Sequence, residues 1–230
     1  RGFLRQIAKA DLKHGFINIY TGKSSTLSSC CRLRSESEGL GYTNSFGSGS
    51  TKIGSLGVVT LNLPRMAQLA LDDCTVFDEA PDDFISAVVG GAMEASMINH
   101  AKRLFIKDRI ERGSLPLYTL GYMSLDRQYS TCGFTGLYEA LNILGYDIRT
   151  PEGMVLAKKT LQAIRMTNKM MEKKLGTPHN MEQVPAESSA VKLAKKDAIL
   201  GINEDYELYA NQFIPLYEDA NVIERIDIQG

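Results

Sequence analysis

Apolar residues recur along this chain at two spacings, one of about 3.6 residues and one of short continuous runs, and the two alternate. Leu4 to Leu12 has helical spacing, and His14 to Tyr20 has the look of a strand. Thr21 to Gly54 then loses all periodicity and is rich in Ser, Gly and Thr. A stretch that long inside a compact domain is usually a functional loop. Leu56 to Leu63 is a nearly unbroken apolar run rich in β-branched residues, which suits a strand buried on both faces. Pro64 ends it and opens a helix over Arg65 to Leu71. Asp78 to Arg112 predicts the longest helix. Pro81, Asp82 and Asp83 stand in its first turn, where acidic side chains favour the helix dipole. Phe84, Val88, Ala92 and Phe105 fall on its apolar face.

Further on, Leu115 to Leu120 and Tyr129 to Phe134 read as short strands. Gly136 to Leu144 reads as a helix stopped by Gly145. Met154 to Leu175 is an amphipathic helix with a lysine-rich outer face. Val184 marks a strand end, Ala186 to Leu200 a helix, and Tyr206 to Leu216 a last extended segment. Strands alternating with helices predict parallel β/α units. No repeat and no clean linker is evident, so residues 1–230 are expected to form one unit.

Composition narrows the class. The chain has 230 residues, 43% hydrophobic and 23% charged, enough for a sizeable core. A net charge of -1 gives no field that would attract nucleic acid or an anionic membrane. No apolar run approaches the roughly 18 residues that a membrane span needs. The start, Arg1-Gly2-Phe3-Leu4, has no initiator Met and no signal-peptide pattern, and we expect a fragment of something longer. Cys30, Cys31, Cys74 and Cys132 form no C-x-x-C, and His14, His100 and His179 are scattered, so no tetrahedral zinc site is expected. Free thiols suit a reducing compartment, most simply the cytoplasm.

Three segments could carry chemistry. Cys30-Cys31-Arg32 falls in the long loop, and adjacent cysteines are too close for an ordinary structural disulfide. Cys31 is open to three readings: a small buried hydrophobe, a redox thiol, or a nucleophile or radical site whose neighbour Arg32 would favour the thiolate. Gln183-Val184-Pro185-Ala186-Glu187-Ser188-Ser189 is a strand end followed by a helix start, where free N–H groups and the macrodipole can hold a phosphate. An ordinary capped helix would look the same, and Glu187 fits either dipole compensation or acid–base work. Thr131-Cys132-Gly133-Phe134-Thr135-Gly136 is a strand and a glycine turn, which serves either a close ligand or tight strand–helix packing. It is neither G-x-G-x-x-G nor a P-loop. Asn44 to Ser50 has the composition of a flexible linker.

Taken together, the segments resemble the anaerobic (class III) ribonucleoside-triphosphate reductases. The resemblance rests on Ser29-Cys30-Cys31-Arg32-Leu33, Asn44-Ser45-Phe46-Gly47, and the run from Ile53 through Leu56-Gly57-Val58-Val59-Thr60-Leu61-Asn62-Leu63-Pro64-Arg65. It continues in Cys132-Gly133-Phe134-Thr135-Gly136-Leu137-Tyr138-Glu139-Ala140, Val184-Pro185-Ala186-Glu187-Ser188, and Tyr209-Ala210-Asn211-Gln212-Phe213, all in family order.

The resemblance implies an α/β fold, here roughly the second half of a ten-stranded α/β barrel, with a cysteine-bearing finger loop at about residues 21–55. It implies that Cys31 becomes a thiyl radical that takes the 3′ hydrogen of a ribonucleoside triphosphate. It also implies that Pro185, Ala186, Glu187, Ser188 and Ser189 meet the substrate phosphates, and that Ser55 and Asn62 line the site. Ser55 stands where formate-using members carry asparagine, which favours a thioredoxin-like or glutaredoxin-like reductant over formate. The family's ATP-cone, glycyl-radical segment and four-cysteine zinc site are not in these residues. The glycyl radical, made by a radical-SAM iron–sulfur activase, is therefore expected outside this chain. A homodimer is expected for the complete enzyme, and no nucleic-acid or membrane partner. Two alternatives stay open: another glycyl radical enzyme of the pyruvate formate-lyase type, and a non-catalytic binding or scaffold remnant.

Overall fold

The computed structural model describes residues 2–14, 26–28, 34–36, 54–185 and 187–229. The chain divides into two compact units, Arg1–Ser50 and Thr51–Gly230. In the first, helix α1 (Gly2–His14) covers the stretch expected to be helical. Strands β1 (Thr26–Ser28) and β2 (Arg34–Glu36) pair antiparallel, with Ser28 opposite Arg34. The strand expected over His14 to Tyr20 and the linker reading of Asn44 to Ser50 lie outside the described residues, His14 excepted.

The second unit is built on a parallel sheet of β3 (Gly54–Asn62), β4 (Gln128–Thr135) and β5 (His179–Gln183), in the order β3-β4-β5. Val58 lies opposite Thr131 and Thr131 opposite Asn180, so the strands run in step. Helices α2 (Leu63–Asp73) and α3 (Ala80–Glu111) join β3 to β4. Helices α5 (Leu137–Ile143) and α6 (Pro151–Leu175) join β4 to β5. Helix α7 (Glu187–Ile199) follows β5, and α8 (Val222–Gln229) closes the chain. These are the parallel β/α units that the alternation of patterns predicts, although three strands do not make a ten-stranded barrel.

The helix boundaries have local causes. The Asn62 side chain caps α2 by accepting from the Arg65 N–H at 3.3 Å, and Pro64 occupies the first turn. Thr150 caps α6 in the same way, accepting from the Gly153 N–H at 3.1 Å, and Gly176 ends it in the left-handed conformation. Helices α3 and α6 pack on one face of the sheet and on each other. Leu61, Cys132 and Phe134 of the sheet join Leu63, Phe84, Val88, Leu137, Leu141 and Ile164 in one buried cluster. Each such aliphatic side chain contributes about 1.5–3 kcal/mol by leaving water.

Three sequence expectations are corrected. Leu115 to Leu120 is no strand but a turn of helix, α4 (Pro116–Thr119), closed by Leu120 N–H donating to the Pro116 carbonyl at 2.8 Å. Proline at the first helical position favours this, and the left-handed Gly113 and Gly121 bracket the run. Tyr206 to Leu216, expected to be extended, bends repeatedly and forms no regular element. It is an irregular segment held by side chains of α5 and α7, as described below. Finally, β3 is not buried on both faces: Val58 is 44% exposed, whereas every residue of the central strand β4 is buried.

His179 opens β5 in a buried position. Its Nδ1 faces the Thr177 carbonyl at 2.7 Å, so Nδ1 carries the proton and Nε2 is left buried without a protein partner among the described residues. Burial lowers its pKa; the Thr177 carbonyl and Glu172 oppose this, and Arg103 and His100 add to it. A histidine whose folded pKa lies below its unfolded value stabilises the fold above about pH 6.5, and that contribution is lost as pH falls through this value. The urea midpoint of the protein should therefore fall between pH 7 and pH 5 more steeply than that of His179→Gln. Parallel pH dependences would remove His179 as the cause.

Candidate functional site

All three strands of the second unit end at one edge of the sheet, with Asn62, Thr135 and Gln183 as their last residues. Helices α2, α5 and α7 start from that edge. Ligands of parallel α/β folds gather beyond the carboxyl ends of the strands, where helix N-termini offer unpaired N–H groups.

The start of α7 is one wall of this edge. Val184 N–H donates to the Phe134 carbonyl at 3.1 Å, which extends the β4–β5 pairing to the brink of the helix. Pro185 is exposed, Glu187 opens the helix, and Ser188 and Ser189 present exposed side chains in its first turn. Ala186 lies outside the described residues.

Asn62 stands at the carboxyl end of β3, and both polar ends of its side chain are engaged. Oδ1 caps α2, and Nδ2 donates to Asp197 Oδ2 at 2.8 Å. Asp197, on α7, is fully buried. It also accepts from Arg65 Nε at 2.7 Å, from Arg65 Nη2, and from the Tyr209 hydroxyl at 2.7 Å. Burial first, and then the Asp197 carboxylate, push the Tyr209 phenol well above its ordinary range, so it serves as a proton donor to Asp197. Charge-assisted hydrogen bonds of this kind are roughly twice as strong as neutral ones.

A second buried carboxylate, Glu139 of α5, holds the same irregular segment. Its Oε1 accepts from the Ala210 N–H at 2.8 Å and from the Tyr217 hydroxyl at 2.9 Å. Burial raises its pKa, and those two hydrogen bonds pull the other way. Ala210 returns its carbonyl to the Gly136 N–H at 2.9 Å and to the Thr135 hydroxyl at 3.3 Å. Thus the Leu61-to-Arg65, Cys132-to-Ala140 and Tyr209-to-Phe213 segments, far apart in sequence, meet at one edge.

Ser55 is placed elsewhere. It sits at the opposite end of β3, seven residues before Asn62 and so about 20 Å away at strand rise. Its hydroxyl shares a hydrogen bond with the Thr131 hydroxyl at 2.9 Å and also donates to the Gly57 carbonyl at 3.3 Å, beside a bulge in the β3–β4 pairing. Ser55 and Thr131 lie on the sheet face opposite the helical core. On that face Gly133 leaves room for Thr60, Val58 and Val184, whose side-chain atoms would lie 2.5–2.9 Å from an added Cβ. The glycine at 133 thus serves close packing across strands. Glu182, opposite Gly133 in register, has its carboxyl pKa raised by burial.

Cys31 and its neighbour Cys30 fall between the described strands β1 and β2, outside the described residues. The other thiols are poor candidates for chemistry. Cys132 faces the core, and burial pushes its thiol up to about 12. Cys74 is half-buried and donates to the Leu71 carbonyl at 3.1 Å. Among the described residues no cluster of His, Cys, Asp or Glu could hold a metal ion, and no helix is long and apolar enough to cross a membrane.

Sequence reading missed Asp197 and gave Arg65, Glu139 and Tyr209 no role. A signal was present: Ala190, Ala194 and Asp197 follow helical spacing and all are buried, which puts an acid in an apolar stripe.

Parallel strands, helices rising from their carboxyl ends, and a hydrogen-bonded polar cluster at that edge define an α/β protein whose candidate site is the carboxyl edge of the sheet. The chain belongs to the anaerobic ribonucleoside-triphosphate reductase family, whose model matches residues 3–230. A search of curated proteins gave no match. Among solved structures the chain is similar to the anaerobic ribonucleotide reductase from Thermotoga maritima with citrate in the active site. The two are 38% identical with a TM-score of 0.69, over 76% of this chain and 32% of that one. It is similar also to the same enzyme in complex with dATP and CTP, at 38% identity and a TM-score of 0.70, over 76% of this chain and 30% of that one. The chain therefore spans about a third of the length of these relatives.

Proposed function

We propose that the full-length protein carrying this chain reduces ribonucleoside triphosphates to deoxyribonucleoside triphosphates by thiyl-radical chemistry. Residues 1–230 would be one part of its ten-stranded barrel domain, with the finger loop at about residues 21–55. The observation that carries this reading is the meeting of three family-like segments at the sheet edge from which α7 starts. Backbone N–H groups of the α7 start, with Ser188 and Ser189, would receive the phosphates. Pro185, Ala186 and Glu187 frame that start. Asn62 takes part by fixing the β3 end, since its side chain is already engaged. Ser55 would line the site from β3.

Cys31 would take the 3′ hydrogen of the ribose as a hydrogen atom. Loss of the 2′ hydroxyl as water follows. Two electrons and two protons per turnover come from an external reductant, and Cys31 returns the hydrogen to the 3′ carbon. A glycyl radical outside this chain, made by a radical-SAM activase, supplies the initial one-electron oxidation. Ser55 in place of asparagine supports a thioredoxin-like or glutaredoxin-like dithiol as the reductant over formate. The complete enzyme would act as a homodimer in the cytoplasm.

The test is an anoxic assay of the full-length protein with its activase. Deoxynucleotide should form from a ribonucleoside triphosphate with a thioredoxin system, and the isolated 230-residue chain should form none. Turnover by the isolated chain would refute the division of labour proposed for it. Failure of the full-length protein to reduce any ribonucleotide would refute the function.

A further inference from the structure

Helix α7 does not run back alongside β5. Asp197 lies ten residues after Glu187, about 15 Å along the axis, and there it meets Asn62 at the end of β3. Strand β3 is two strands away from β5, about 10 Å across the sheet. The helix therefore crosses over the carboxyl edge, and its far half is fixed at β3. A fully buried carboxylate, Asp197, supplies the polar part of that fixing. Asn62 and Arg65 hold it from the β3–α2 junction, and Tyr209 holds it from the irregular segment. Around Asp197 the helix buries the small side chains of Ala190 and Ala194 in full, with Val191, Leu193 and Ala198 half-buried. The hydrogen bonds to Asp197 add a directional constraint to this apolar packing, which is itself non-directional.

We propose that Asp197 is a positioning residue. By tying α7 to Asn62, Arg65 and Tyr209, it sets the direction in which the helix start points and so aligns the phosphate-binding N–H groups. This rests on the reading of the α7 start as the substrate-phosphate site. Asp197 touches no substrate itself; it acts through the helix that carries it. The arrangement also gives Arg65 and Tyr209 a purpose, since each supplies a donor to the same carboxylate.

The test uses full-length enzyme and two probes, CTP as substrate and cytidine, which lacks phosphates, as a competitive inhibitor. Asp197→Asn should raise the KM for CTP about tenfold while the cytidine Ki stays within about twofold, because only the phosphates feel the helix start. Tyr209→Phe removes one donor and should give about a threefold rise in the same direction, and it carries the test if Asp197→Asn does not fold. Equal changes in KM and Ki, or no change in either, would overturn the positioning role. If cytidine binds the wild-type enzyme as tightly as CTP, the phosphate reading of the α7 start fails instead, and that outcome is visible before any variant is made.

Discussion

Replacing Cys31 by alanine is expected to abolish deoxynucleotide formation by the full-length protein, a loss of at least about a thousandfold, with CTP binding unchanged within about twofold. The size of the effect follows from what the remaining thiols can do. Cys132 is turned into the core on the helix-covered face, and burial holds it protonated, up to about 12. Cys74 is tied to the Leu71 carbonyl at the end of α2. Neither is placed to stand in for a lost finger-loop thiol, which leaves Cys30 as the one sulfur whose role must be tested beside Cys31. Cys31→Ser should be as inactive as Cys31→Ala, because a hydroxyl O–H bond is too strong to cycle between radical and closed-shell forms. Cys30→Ala separates the neighbours. Activity that survives Cys31→Ala but not Cys30→Ala would move the radical site by one residue and overturn the assignment.

What the sequence reveals of this fold depends on whether the cause is local. Helix α6 is legible because its amphipathic period, Thr150 cap, Pro151 and Gly176 stop all agree. Helix α2 is legible for the same reason, from Asn62 and Pro64. Leu115 to Leu120 misleads because a six-residue apolar run has no period long enough to separate a strand from a helical turn. Tyr206 to Leu216 misleads for a different reason. Its conformation is dictated by Glu139 and Asp197, one from α5 and one from α7, and nothing within the segment records either. Val58 is apolar yet 44% exposed in β3, so an apolar run alone does not fix what covers a strand.

The site divides along the same line. Motif order locates the α7 start and the β3 end, and the structure brings these to one edge. Motif order also names Ser55, and the structure sets it about 20 Å along the strand from Asn62. The residue that links the motifs, Asp197, belongs to none of them. Its signal is a burial pattern rather than a motif, and burial of a carboxylate is legible only when three donors from other segments are known to surround it.

The glycine at 136 shows how closely those segments are fitted, and its substitution should have the largest effect on stability. Gly136 holds φ at +73° where β4 turns into α5. An added Cβ would lie 2.4 and 2.5 Å from ring carbons of Pro64 and 3.2 Å from the Tyr209 Cβ. Two costs add in Gly136→Ala. The left-handed backbone costs a residue with a Cβ about 1–2 kcal/mol. The clash costs about 1–3 kcal/mol more, because the Pro64 ring is rigid and buried and cannot rotate away. Gly176 is the control: it is also left-handed, at φ +64°, but an added Cβ there meets nothing within 4 Å. Gly176→Ala should therefore lose only about 1–2 kcal/mol in urea unfolding, and Gly136→Ala about 2–5 kcal/mol. Against a typical total of about 5–15 kcal/mol, the larger loss leaves the protein marginal. Equal losses would mean that Pro64 moves aside, and then the β3–α2 junction is softer than its hydrogen bonds to Asp197 imply. A larger loss at 136 ties the glycine turn, Pro64 and Tyr209 into one rigid contact, the same contact that places Asn62 and Arg65 within reach of Asp197.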